Sequence, residues 1–269
     1  MRFDAYLLPR LVPPAELQDA TVVVVDVLRA TTTIATALAA GARRVIPAPS
    51  VPQARGIARQ RNRAATLLGG ERHGLRIPGF ALGNSPSEYV PAAVGGRTIV
   101  FTTTNGTRAL KHCRLARRVL LGALVNFAAV CRRLQACADW RVLCAGTRGE
   151  VSCEDVLVAG MLWHAWRVAH RQADRGCWND QAELAACLAQ AAGGGALAEY
   201  AAAVGEAGGV PATRPIESAR QVLEGSAGGR HLAAIGLSGD IAAAAQLDRL
   251  DVVPLWRTTS NQIVAARRS

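Results

Sequence analysis

Residues 22–25 are four consecutive valines, and the run ends on an acid, Asp26. A β-branched run without polar alternation suits a strand buried on both faces, the usual condition of an interior strand in a parallel sheet. The residues that follow extend the pattern. Asp26-Val27-Leu28-Arg29 and Thr31-Thr32-Thr33 read as a polar turn, Ile34 to Ala40 as a helix, and Gly41 as its C-terminal cap. Val45-Ile46 opens the next strand.

The layout recurs. Thr98-Ile99-Val100-Phe101 leads through Thr102-Thr103-Thr104 into Asn105-Gly106-Thr107-Arg108-Ala109-Leu110. The two copies end alike, in Ala42-Arg43-Arg44-Val45 and Ala116-Arg117-Arg118-Val119. They are either a weak internal duplication or two βα units obeying the same local chemistry. A third unit runs from Arg141 to Cys144 through Gly146-Thr147 to Ser152, then a helix from about Cys153 to Ala169. From about 171 to 229 the strand signal vanishes, and a helical excursion off the sheet is expected. Leu250 to Leu255 reads as a late strand, with Pro254 at a sheet edge or at the strand's end. The expected fold is α/β with three layers, a mostly parallel sheet flanked by helices. The 269 residues form one catalytic unit or two similar α/β lobes meeting near residue 120.

In open α/β sheets, ligands collect beyond the carboxyl ends of the strands, where helix N-termini present free N–H groups. The polar clusters fall at such places: Asp26 and Arg29, Gly69-Gly70-Glu71-Arg72, Thr102 to Thr107, and Gly146-Thr147 with Ser152, Glu154 and Asp155. Carboxylates, arginines and hydroxyls together suit an anionic ligand with a divalent metal. Each has a plainer alternative. Asp26 could cap a turn, although an acid ending a valine strand is costly unless paired. Glu71 could form a surface ion pair. Ser152-Cys153-Glu154-Asp155 matches a helix capping box. Asn105-Gly106 reads as a turn or as an anion nest. The histidines (73, 112, 164, 170, 231) show no ligand spacing and are expected on the surface or in helices.

Several phosphate chemistries are excluded. The sole lysine, Lys111, completes no P-loop. Cys144 and Arg148 are too close for a cysteine phosphatase loop. Leu28 stands where a haloacid-dehalogenase strand needs its second aspartate, so a metal-activated water is a simpler mechanism than a phosphoaspartate. Net charge +11 invites a nucleic-acid partner, but 4% aromatic residues and scattered arginines leave no stacking surface. No run approaches the ~20 apolar residues of a membrane span, and the acid and prolines near Met1 do not suit a secretory signal. Seven cysteines without a Cys-x-x-Cys pair read as reduced thiols of a cytoplasmic protein.

Taken together, Val25-Asp26-Val27-Leu28-Arg29-Ala30-Thr31-Thr32-Thr33, Gly69-Gly70-Glu71-Arg72, Leu82-Gly83-Asn84-Ser85-Pro86, Thr102 to Leu110, Cys144-Ala145-Gly146-Thr147, Ser152 with Glu154-Asp155, and Asp240-Ile241 resemble the 2-phosphosulfolactate phosphatases of the ComB type. The likeness spans roughly residues 20 to 255 in consistent order. It implies a Mg²⁺-dependent phosphatase converting 2-phospho-3-sulfolactate, or a similar phosphorylated hydroxy acid, to sulfolactate on a route to coenzyme M. It implies Asp26, Glu71, Arg29 and Asn105 as catalytic residues, and Asp26, Glu71 and Asp155 or Glu154 as metal ligands. Arg29, Arg72, Arg108 and the N–H groups near Asn105, Gly106 and Thr107 would neutralise the anion. Thr31, Thr32, Asn84, Ser85, Thr104 and Thr147 would be hydrogen-bonding positions. The rival reading is a Mg²⁺-dependent lyase or isomerase of a small phosphorylated acid. Apolar helices admit a homodimer.

Overall fold

The computed structural model describes residues 1–135, 137, 139–170, 177–207 and 209–266. The first residues of the expected excursion, 171–176, lie outside these. Its strands are β1 (Arg2–Tyr6), β2 (Thr21–Val25), β3 (Arg44–Pro47), β4 (Thr66–Arg72), β5 (Leu75–Arg76), β6 (Thr98–Thr102), β7 (Arg118–Gly122), β8 (Asp139–Cys144), β9 (Cys177–Trp178), β10 (Pro254–Arg257) and β11 (Gln262–Ala265). Its helices are α1 (Ala30–Ala39), α2 (Val51–Arg59), α3 (Pro91–Val94), α4 (Gly106–His112), α5 (Phe127–Leu134), α6 (Cys153–Ala169), α7 (Asp180–Ala191), α8 (Ala196–Ala207), α9 (Ile216–Gly225), α10 (Ala227–Ala234) and α11 (Ser238–Ala244).

The strands form one sheet in the order β5-β4-β6-β3-β11-β10-β7-β2-β8-β1-β9. The valine run is the spine of one parallel set. β2 pairs in parallel with both β7 and β8, with Val25 opposite Gly122 on one side and Cys144 on the other. Val22 to Val25 are at most 1% exposed, and each such side chain stabilises the fold by about 1.5–3 kcal/mol relative to water exposure. A second parallel set joins β4, β6 and β3. The antiparallel hairpin β10–β11 links the sets, pairing with β7 through β10 and with β3 through β11. The sheet is therefore continuous, and β2 lies with β7 and β8 rather than with the units nearest it in sequence.

Several expectations are corrected. The late strand begins at Pro254, not Leu250, and sits inside the sheet rather than at its edge; proline is tolerated there as the strand's first residue. Helix α1 starts at Ala30, so Thr31 to Thr33 are helical rather than turn residues. The Thr33 N–H donates to the Arg29 carbonyl and closes that first turn, while the Thr31 N–H reaches back to the Asp26 carbonyl. β1 carries no apolar run to announce it, because Asp4 is buried within it against Arg2, 2.6 Å away. The stretch after residue 176 does form helices, but β9 pairs with β1. Its helices also join the main core, where Leu157, Met161 and Ala165 of α6 cluster with Ala185 and Ala189 of α7 and Leu197 and Val204 of α8. No helix among the described residues is long and apolar enough to cross a membrane.

Candidate active site

In the sheet order β3, β11, β10 and β7 lie between β6 and β2. At ordinary strand spacing a flat sheet would hold the ends of β6 and β2 roughly 24 Å apart. They nevertheless meet: a Cβ added to Gly106, after β6, would lie 2.9 Å from Asp26 Oδ2, after β2, and 2.7 Å from Ala30 Cβ. The sheet thus curls until the carboxyl ends of its two parallel sets face each other, and Gly106 is glycine because its backbone must pass against Asp26. The result is a cleft of about 170 Å³. Asp26, Leu28 and Arg29 enter it from β2, Glu71, His73 and Gly74 from β4, Thr103 to Asn105 from β6, and Thr147 and Arg148 from β8. Asn84 adds another wall, and Gly228, His231 and Leu232 of α10 close the last side.

Four carboxylates gather at this end of the sheet, all buried. Two are tied by the backbone. Glu71 accepts hydrogen bonds at Oε1 from the Thr104 N–H (2.9 Å) and hydroxyl (3.0 Å), and at Oε2 from the Gly74 N–H (2.8 Å). Asp155 accepts from the Val27 N–H at Oδ1 (2.8 Å) and from the Gly146 N–H at Oδ2 (3.0 Å). Each pins together loops that follow different strands.

The other two are less satisfied. Asp26 Oδ1 accepts from the Ala30 N–H at 3.2 Å. Glu154 Oε2 is buried with no partner, and its Oε1 lies 2.6 Å from where a Cβ on Gly228 would stand. Burial, with the added repulsion of Glu71 and Glu154, pushes Asp26 up to about 7 against the opposing Ala30 N–H. Burial likewise raises Glu154. Asp155 is held well above the carboxylate range, first by burial and then by Asp26 and Glu154. Such a set is relieved either by taking up protons or by a compensating cation.

Arg29 is 4% exposed and its two terminal nitrogens are taken. One pairs with Asp240 Oδ2 of α11 at 2.5 Å and the other donates to the Gly74 carbonyl at 2.5 Å. Asp240 Oδ1 accepts from the Ser85 hydroxyl, also at 2.5 Å.

Of the residues expected to meet a ligand, Asp26, Arg29, Glu71, Asn84, Thr104, Asn105 and Thr147 line the cleft. The others do not. Thr31 and Thr32 donate their hydroxyls to the Asp26 and Val27 carbonyls and so hold the loop after β2. The Thr107 hydroxyl donates to the Thr103 carbonyl, and Ser85 is committed to Asp240. Arg72 donates to the Glu71 carbonyl and the Thr102 hydroxyl, while Arg108 is exposed on α4 outside the cleft. The capping box at α6 does not form: Ser152 donates to the Thr147 hydroxyl, and Asp155 reaches two loops instead of its own helix start. His73 and His231, expected as ordinary surface or helix residues, stand on the cleft wall, with His231 Nε2 at 3.2 Å from the His73 carbonyl.

Sequence reasoning missed Arg148, Gly228, His231 and Leu232. Arg148 could have been found, since it follows Thr147 at a strand's carboxyl end. Nothing in the sequence around α10 points to the cleft.

Among the described residues, no three or more His, Cys, Asp or Glu side chains stand together ready to hold a metal. Mg²⁺ does not need them, since it is commonly held by one or two carboxylates, waters and substrate phosphate. The partnerless Glu154 Oε2 and the raised Asp26 carboxyl fit that smaller demand.

Residues 6–207 match the family model described as 2-phosphosulpholactate phosphatase. The chain is 48% identical over 149 residues to a "Probable 2-phosphosulfolactate phosphatase" of Caldanaerobacter subterraneus subsp. tengcongensis, a match spanning 55% of this chain and 62% of that relative. It is 38% identical over 255 residues to the protein so named in Symbiobacterium thermophilum, covering 94% of this chain and 97% of the relative. A third, from Carboxydothermus hydrogenoformans, is 36% identical over 265 residues, covering 98% and 97%.

Proposed function

The chain belongs to the 2-phosphosulfolactate phosphatase family, and on that premise we propose that its cleft hydrolyses the phosphate monoester of 2-phospho-3-sulfolactate with the help of Mg²⁺. Water replaces the ester oxygen on phosphorus, and the products are sulfolactate and inorganic phosphate. What supports this most is one buried carboxylate oxygen without a partner, Glu154 Oε2, behind Gly228 of the wall of a cleft of about 170 Å³ whose lining brings acid, amide, hydroxyl and cationic groups from separate loops. That volume is below the ~300–1,000 Å³ usual for drug-sized ligands and suits an ester of a few carbons.

Asp26 and Glu154 would hold the cation, which when bound polarises a phosphoryl oxygen and acidifies a water. Glu71 and Asp155 keep the loops after β2, β4, β6 and β8 in register, so that the groups facing phosphorus are placed before substrate arrives. The Asn84 and Asn105 amides and the Thr147 hydroxyl are the neutral donors for phosphoryl oxygens, while the Thr104 hydroxyl is spent on Glu71. Arg29, fixed by Asp240, contributes its charge to the wall rather than a mobile clamp. In the cell this activity would supply sulfolactate for coenzyme M. Its seven unpaired thiols suit the cytoplasm. The substrate is a small anion, not a nucleic acid, and the apolar helices admit a homodimer.

The test is release of inorganic phosphate from 2-phospho-3-sulfolactate. It should stop with EDTA and return with Mg²⁺. Activity untouched by EDTA would remove the cation from the proposal. Consumption of the ester without free phosphate would replace hydrolysis by a lyase or isomerase reaction.

A further inference from the structure

2-Phospho-3-sulfolactate carries a sulfonate and a carboxylate besides its phosphate, and the acids of the cleft can receive neither. The cleft therefore needs a free cation. Arg29 does not supply one, because both its terminal nitrogens are bound to Asp240 and Gly74. Arg72 and Arg108 do not line the cleft.

Arg148 is different in three respects. It lines the cleft, it is exposed, and its side chain makes no ion pair or hydrogen bond with another described residue. Its backbone is held firmly. Thr147 and Glu150 exchange N–H···O bonds of 2.9 and 3.0 Å across a two-residue turn. Arg148 (φ 56) and Gly149 (φ 83) are the turn's central residues, both left-handed. Such turns favour Asn-Gly or Gly-Gly, so an arginine at the first place works against local preference. The Arg148 N–H also donates to Asn105 Oδ1 at 3.3 Å, tying this turn to the neutral donors after β6. The turn thus holds an unengaged guanidinium at the mouth of the cleft in a conformation that costs energy, as functional sites do.

We infer that Arg148 is the residue that selects for a second anionic group, receiving the sulfonate of the substrate while the phosphate lies toward Asp26 and Asn105. A planar guanidinium offers paired N–H donors to a tetrahedral oxyanion. Unlike a buried clamp, it stays solvated until the ligand arrives, so the cleft binds a phosphate ester poorly unless the far end is also charged. The inference rests on the phosphatase reading for its chemistry, but not for its test.

The experiment compares wild type with Arg148→Gly and Arg148→Lys. Glycine suits the positive φ, so this variant removes the guanidinium without straining the turn. Calorimetry with 3-sulfolactate and with lactate needs no turnover. Wild type should bind sulfolactate about 10- to 100-fold more tightly than the glycine variant, in line with the loss of one charge-assisted hydrogen-bonding group. Equal affinity in the two proteins overturns the inference, whether or not the enzyme is a phosphatase. In kinetics, Arg148→Gly should raise KM for 2-phospho-3-sulfolactate by a similar factor, with kcat nearly unchanged. For 2-phospholactate, which lacks the sulfonate, the effect should be about threefold or less. Equal losses on both esters would assign Arg148 to shaping the turn and would overturn the inference. Arg148→Lys should recover part of the binding. No phosphate from either ester, with sulfolactate still discriminated, would reject the phosphatase reading and leave Arg148 in place.

Discussion

Asp26 is only 6% exposed, and its acid is pushed up to about 7 by burial and by Glu71 and Glu154. Its folded value lies above the ordinary aspartate value of 3.8. The folded protein therefore favours the protonated acid, and this contribution is complete below about pH 4. It is lost as pH rises through 7. Without divalent cation, the melting temperature should fall between about pH 4 and 7. Asp26→Asn should flatten that decline and stabilise the cation-free protein at pH 8 by roughly 1–3 kcal/mol, because an amide can still accept from Ala30. The same variant should lose phosphate release by at least ~100-fold. Calorimetry across pH checks the first claim, and a variant that is both active and unchanged in stability would sink both. Gly106→Ala is the steric counterpart: its methyl would meet Ala30 and Asp26 Oδ2, so activity should drop sharply while the circular dichroism spectrum of the whole protein stays unchanged. Asp26 was legible because an acid closing a valine strand is conspicuous. The orientation of the Thr31 and Thr32 hydroxyls was not, because a threonine in the first turn can bond backwards as readily as outwards.

At the scale of elements, α6 was read from sequence almost to the residue. Its apolar stretch is long, and it starts just after a polar serine. α10 and α11 were not read as part of the site. They are short and alanine- and glycine-rich; only the fold brings α10 to the cleft wall and α11 behind it. Their weight rests on Asp240, which holds Arg29 at 2.5 Å and Ser85 at 2.5 Å. Removing that acid leaves a buried guanidinium without its counter-charge, which costs about 3–5 kcal/mol. Asp240→Ala should therefore lower stability by that order in urea unfolding and weaken activity through the displaced Arg29. The double variant Asp240→Ala with Arg29→Met should regain part of the stability and none of the activity. A full loss in the single variant with no recovery in the double would show that Asp240 acts on something else.

For the molecule as a whole, the two βα copies gave the parallel sets, and their shared layout invited a division near residue 120. The structure instead interleaves them: β2 from the first copy lies between β7 and β8, and the late hairpin stands between the sets. Short strands without alternation, such as β11, carry too little pattern to be placed from sequence, and partners distant along the chain decide where they go. Ile263 in that hairpin is fully buried, opposite Val45 and Trp256. Ile263→Ala should cost about 2–4 kcal/mol and reduce activity beyond what remains folded, although residue 263 does not line the cleft. Hydrogen exchange should rise in β3 and β7 together. Protection lost in only one of them would mean the sets are joined by other contacts.

The place of that hairpin also sets an order of events during synthesis. All the residues that line the cleft leave the ribosome before β10 and β11 do, yet the two sets of strands stay unconnected in the sheet until the hairpin slots between them. A growing chain thus holds its acids, amides and arginines without holding them together.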